Sequence, residues 1–126
     1  MSDYAFRIVN VFAETPLAGN PLCVFEDGRG LDDATMQALA LQFNISETTF
    51  ILPSTKATAR VRIFTPAYEM PFAGHPTLGT AHVVRELRRA GVPAPLDGDP
   101  DAVTLEMKAG VIPVAAKGDR WTLTAK

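Results

Sequence analysis

The sequence predicts an α+β fold, a strongly curved, mixed β-sheet wrapped around one central α-helix. Two observations lead there. Segments of strand character clearly outnumber helical ones along the chain. And within a helical run that ends near Arg89, the half from Pro76 to Val84 carries no Asp, Glu, Lys or Arg on any face, only His82. A helix uncharged all round is buried all round, so other elements must enclose it, and most of those available are strands. The 126 residues fit one domain, and 47% hydrophobic against 21% charged residues supports a packed core rather than a disordered chain.

Each element has its own signal. Tyr4 to Phe12 reads as a strand with Phe6, Ile8 and Asn10 on one face and Arg7, Val9 and Val11 on the other. Thr15 to Pro21 is a loop punctuated by Pro16, Gly19 and Pro21, and Leu22 to Phe25 is a short apolar strand. After a turn at Glu26 to Gly30, Asp32 caps a helix running to about Phe43, with Met36, Leu39, Ala40 and Phe43 on one side. Asn44 to Thr48 is a polar connector and Thr49 to Leu52 a strand stopped by Pro53. In Thr58 to Phe64, Ala59, Val61 and Ile63 alternate with Arg60 and Arg62, and Phe64 breaks the pattern by falling on the arginine face. Thr65 to Gly74 is a proline-bearing loop. The central helix follows, with Pro76 expected as its first residue, His75 as N-cap and Gly74 just outside. From Arg85 onward it is charged and expected to emerge into solvent, and Gly91 and Pro93 end it. Gly91 to Asp101 reads as an exposed loop. Three strands close the chain, Ala102 to Met107, Val111 to Ala116 and Arg120 to Thr124, joined by turns at Lys108-Ala109-Gly110 and Lys117-Gly118-Asp119, with Pro113 marking an edge or a bulge.

Composition excludes several classes of function. A net charge of −2 with no basic face argues against nucleic acid as a partner, and the Arg85, Arg88 and Arg89 cluster reads as complementation of a helix dipole. A single cysteine, Cys23, forbids an internal disulfide. Met1 to Phe6 lack the basic segment and apolar run of a signal peptide, and no window approaches the ~18 apolar residues of a membrane span. The Asn44-Ile45-Ser46 glycosylation match is then idle, and the expected setting is cytoplasmic.

The stretch Glu69 to Gly79 carries the chemistry-bearing pattern: two prolines and two glycines running into a helix start. Free N–H groups at a helix N-terminus favour a carboxylate or phosphate. Gly74 lets a ligand approach the backbone because it has no Cβ. His75, at the same point, can cap, donate to an anion or shuttle a proton. Glu47, among hydroxyl-bearing neighbours just before an apolar strand, can be tuned as a general base, although most glutamates in such a setting are solvated loop residues. His82 lies four residues before Glu86 and reads as its structural partner. No metal-ligand spacing joins His75, His82 and Glu86, no dinucleotide or P-loop fingerprint is present, and Cys23 inside an apolar strand reads as an inert buried thiol. Neither a metal nor a cofactor is expected.

Three ordered segments add a resemblance: Gly19-Asn20-Pro21-Leu22-Cys23-Val24-Phe25, then Asn44-Ile45-Ser46-Glu47-Thr48-Thr49-Phe50, then Arg62-Ile63-Phe64-Thr65-Pro66 continuing into Glu69 to Gly79. Together they resemble the phenazine-biosynthesis PhzF-like family, within the diaminopimelate-epimerase fold. The resemblance implies a cofactor-independent isomerase or epimerase that moves a proton on a small carboxylate-bearing substrate. It also implies two similar domains, each a curved sheet around a helix, with the site between them. Glu47 matches the acid/base glutamate, and Gly74 and His75 match residues that bind substrate and assist proton transfer. Asn20 lines the cleft and Ser46 flanks the glutamate. The helix start reads Ala73-Gly74-His75-Pro76 with no thiol, which disfavours a two-cysteine racemase. By this resemblance residues 1–126 are the N-terminal domain alone, so the expected partner is a second copy in a homodimer or a second half-chain. The alternative is a non-catalytic binding or scaffolding half-domain.

Overall fold

The computed structural model describes residues 4–11, 19–91, 102–117 and 120–123. Strands β1 (Phe6–Val11) and β2 (Asn20–Phe25) pair antiparallel. Helix α1 (Asp33–Phe43) then crosses over to β3 (Glu47–Leu52), which lies parallel to β2. β4 (Ala59–Phe64) is antiparallel to β3. The other edge of β4 is shared: the short β5 (Glu69–Met70) pairs with Ile63 and Phe64, and β6 (Ala102–Met107) runs parallel beside Ala59 and Arg60. Helix α2 (Gly74–Arg89) precedes β6, and β7 (Gly110–Lys117) and β8 (Arg120–Leu123) complete an antiparallel run. The sheet order is β1-β2-β3-β4-β6-β7-β8.

Curvature follows from what α2 touches. It packs on β1, β2, β3, β6 and β8, so strands from both ends of one sheet meet the same helix. Only a sheet curled around α2 permits that, as the uncharged half of the helix predicts. Pro76, Thr77, Gly79, Thr80, Ala81, Val83 and Val84 are all buried. Gly79 lets the helix sit this deep: a Cβ there would lie 2.6 Å from a Leu22 methyl and 2.8 Å from a Val11 methyl. Among the described residues no helix is long and apolar enough to cross a membrane.

The core has two parts. Inside the curl, aliphatic side chains of β1 to β4, β6 and β7 enclose α2, with Leu22, Val61, Ile63, Val83, Val84 and Leu105 among the most buried. Outside it, α1 covers Cys23, Phe25, Phe50 and Phe64 with Met36 and Ala40. This second layer explains the irregular end of β4. Phe64 lies on the arginine face because α1 makes that face a core there, and Arg62 stacks over the Phe64 ring at 5.3 Å. Helix α1 begins as expected, with the Asp32 carboxylate accepting from the Thr35 N–H at 2.8 Å, and ends on Asn44 in the left-handed conformation at φ 53°.

Several boundaries differ from the sequence expectation. Asn20 and Pro21 belong to β2 because β1 pairs with them at Val11 and Asn10, and Glu47 and Thr48 belong to β3 because the parallel register pairs them with Leu22 and Cys23. Arg85 and Leu87 are each 3% exposed, so the central helix keeps a buried face past the expected point of exit, and Glu86 is its first exposed charged residue. Pro113 sits in a strand paired on both sides, just past the Val114–Lys117 pairing with β8. The expected loop over 92–101 and the 118–119 part of the last turn lie outside the described residues, as do 12–18.

Candidate active site

The site forms where the starts of β3 and α2 meet. Helix α2 begins two residues earlier than the prolines suggest. Ala73 is the N-cap, extended at φ −156° and ψ 142° with no side-chain cap, and Gly74, His75 and Pro76 form the first turn. Pro76 at the third helical position costs nothing, because that N–H also lacks an intrahelical acceptor. His75 is therefore a helical residue rather than the cap. The Thr77 hydroxyl donates to the Ala73 carbonyl at 2.7 Å and ties the uncapped first turn together. Gly74 is exposed, and a Cβ built on it meets nothing within 4 Å. Packing does not demand glycine here; its bare backbone faces open space, where a ligand has room to approach.

Glu47 opens β3 on the face that looks toward α2. Its Oε2 lies 3.3 Å from His75 Nε2, and the two side chains are only 13% and 14% exposed. Both atoms are shielded from solvent, and Glu47 Oε2 closes no well-angled hydrogen bond among the described residues. A carboxylate and an imidazole thus sit within proton-transfer reach, beside a helix start whose N–H groups attract negative charge. Asn20 and Ser46 stand exposed at the same end of β2 and β3, and neither makes a side-chain hydrogen bond among the described residues. The structure brings Glu47, His75 and Gly74 together and leaves Asn20 and Ser46 at the rim.

The remaining candidates lie elsewhere. His82 Nε2 is 2.8 Å from Glu86 Oε1, and Glu86 also accepts from Arg7 Nη1 at 2.7 Å, which makes His82 part of a tie between α2 and β1. Cys23 is fully buried on the outer face, and burial pushes its thiol up to about 12, so it is a poor nucleophile. Among the described residues no three His, Cys, Asp or Glu side chains gather as a metal ion requires.

Residues that pattern reading passed over support the pair. On the inner face, Thr49 and Thr80 share a fully buried hydrogen bond at 2.8 Å between β3 and α2. The loop into α2 is anchored at Glu69, which accepts two bonds from Arg62, at 2.8 and 2.7 Å, and one from Lys108 at 2.8 Å. Arg62 also binds Asp33 at the start of α1, at 2.6 Å. The Arg62 guanidinium holds the Glu69 carboxyl below its ordinary value against the opposing effect of burial, with Lys108 adding to it. The Ala109 N–H holds the Pro71 carbonyl in the same loop, at 3.2 Å. Polar threonines in otherwise apolar segments were the available signal for Thr49 and Thr80; nothing local marked Glu69.

The fold is a curved mixed sheet around a central helix, with the Glu47 carboxylate and the His75 imidazole side by side at the helix start. The chain belongs to the phenazine biosynthesis-like (PhzC-PhzF) family, whose match covers residues 9–124. It is 45% identical over 114 residues to a protein of Pasteurella multocida described as an uncharacterized isomerase, covering 89% of this chain and 36% of that one. It is 41% identical over 113 residues to the trans-2,3-dihydro-3-hydroxyanthranilate isomerase of Pseudomonas aeruginosa, covering 89% of this chain and 37% of the relative. Among solved structures, a PhzF-family phenazine biosynthesis protein of Bacillus anthracis superposes with a TM-score of 0.77 at 32% identity, over 97% of this chain and 40% of that one. The chain thus spans well under half the length of each of these proteins.

Proposed function

We propose that this domain supplies one wall of a cofactor-independent isomerase or epimerase site, with Glu47 as the proton-moving group on a small carboxylate-bearing substrate. The observation that carries this is the 3.3 Å approach of Glu47 Oε2 to His75 Nε2 at the start of α2. The substrate carboxylate lies against the N–H groups near Gly74 and His75. Glu47 takes a proton from the adjacent carbon, and the C–H electron pair moves into an enolate-like anion that those N–H groups stabilise. The proton then returns at another carbon or on the other face, directly from Glu47 or through His75, so no oxidant or reductant is consumed. A general base of this kind contributes roughly 10²–10⁴-fold. Asn20 and Ser46 line the rim, and a second domain or a second chain closes the opposite wall.

The isomerase relatives support the reaction class, and trans-2,3-dihydro-3-hydroxyanthranilate, for which the Pseudomonas aeruginosa relative is named, is the first substrate to test. Glu47→Gln keeps the shape and removes the base. It is expected to abolish turnover, and the accompanying exchange of substrate hydrogen with deuterated solvent, with an unchanged circular dichroism spectrum. Full activity in that variant overturns the assignment. Sedimentation equilibrium tests the second wall: association into a dimer supports a composite site between two chains.

A further inference from the structure

We propose that Thr49 and Thr80 are positioning residues that set the separation of Glu47 and His75; the catalytic part of this rests on the isomerase reading above. Their hydroxyls meet at 2.8 Å, and both residues are fully buried. This bond joins β3 directly to α2, the two elements that carry Glu47 and His75.

The spacing matches along both elements. Thr49 lies two strand residues beyond Glu47, roughly 6.7 Å along β3. Thr80 lies five helical residues beyond His75, roughly 7.5 Å along α2. The rises are similar, and with both pairs in contact a fastening at the threonines limits sliding at Glu47 and His75. Alternation along β3 puts Glu47 and Thr49 on the same face. Contacts between methyl groups are non-directional, and a hydrogen bond adds a direction to that close packing. A hydroxyl pair in a dry interior has one good geometry, and sliding the helix along the strand leaves two buried hydroxyls unsatisfied. The device suits an apolar interface that must hold two reacting groups to a fraction of an ångström.

The experiment removes both hydroxyls together. Thr49→Val with Thr80→Val keeps the shape and leaves no orphaned partner, so the fold is retained. In its crystal structure the Glu47 Oε2–His75 Nε2 distance is expected to depart from 3.3 Å. On the full chain, kcat is expected to fall on the order of tenfold with KM nearly unchanged. An unchanged separation overturns the proposal, whatever the rate does. A changed separation in a protein whose parent lacks isomerase activity upholds the positioning role and overturns the isomerase reading instead. Should the double variant not fold, Thr80→Ser is compared with Thr80→Ala. Both lose the methyl and only the serine keeps the hydroxyl, so recovery of the parent geometry and kcat in the serine variant alone supports the proposal, and equal behaviour of the two overturns it.

Discussion

The two faces of the sheet are packed by different means. The inner face is aliphatic and encloses α2 on many sides, with Gly79 admitting the helix to within contact of Val11 and Leu22. The outer face is aromatic and carries α1 on one side only. There Phe25 stacks on Phe50 with centroids 4.8 Å apart, Phe50 meets Phe64 edge-on at 5.6 Å, and Phe43 meets Phe6 at 4.8 Å. Aromatic rings fill a shallow layer with few residues, and their edge-to-face contacts tolerate small shifts. The inner layer must instead set the position of a helix whose first turn faces the carboxylate of Glu47. On the proposed function, stability and positioning divide between the faces, and variants on each should separate the two.

Phe50→Ala should have the largest effect on stability. The ring is fully buried at the centre of the aromatic layer, and such truncations cost about 3–5 kcal/mol. Denaturant titration is expected to show that loss while the folded fraction keeps its turnover. Loss of turnover in the folded fraction breaks the division of labour. Glu69→Gln comes next, at roughly 1.5–3 kcal/mol for hydrogen bonds to a charged group. The folded-state Glu69 carboxyl is held below its unfolded value, chiefly by Arg62. Its contribution is therefore present above the unfolded value, about pH 4.3, and is lost as pH falls through the folded value. Urea midpoints of parent and variant should be widely separated at neutral pH and converge in acid; a gap independent of pH assigns the effect to packing instead.

Gly79→Ala sharpens the comparison from the inner side. Overpacking costs about 1–3 kcal/mol, and better helix propensity returns about 1, so the net loss is modest. The Leu22 and Val11 methyls or the helix must give way, and with the helix displaced turnover is expected to fall more than stability, the reverse of Phe50→Ala. The smallest effect belongs to Cys23, buried on the outer face with its thiol pushed up to about 12. An aromatic disulfide reagent at pH 8 should leave it unmodified until denaturant unfolds the domain. Rapid labelling of the native protein shows instead that the α1 layer opens locally.

Helix α2 was legible because the absence of charge over Pro76 to Val84 can only mean enclosure, and α1 because Asp32 and the Met36–Ala40–Phe43 spacing are local signals. Strand ends were less so. Glu47 and Thr48 look like connector residues and become strand only because β2 offers a parallel partner at Leu22. The start of α2 was misplaced by two residues because Pro76 is tolerated anywhere in the first turn. Arg85 looks like the point of exit into solvent, yet the curl of the sheet reaches past it.

By itself the sequence determined the α+β class, the buried central helix, the capped outer helix and, through its ordered motifs, the family. Those are properties of local periodicity and of residue strings read in order. Only the tertiary structure decided that Glu47 and His75 stand 3.3 Å apart, that Thr49 meets Thr80, and that Arg62 reaches across to Glu69 and Asp33. These contacts join residues from 7 to 31 positions apart, and no local pattern encodes them. Their distances are set by how far the sheet curls around α2, which is a property of the whole packed layer.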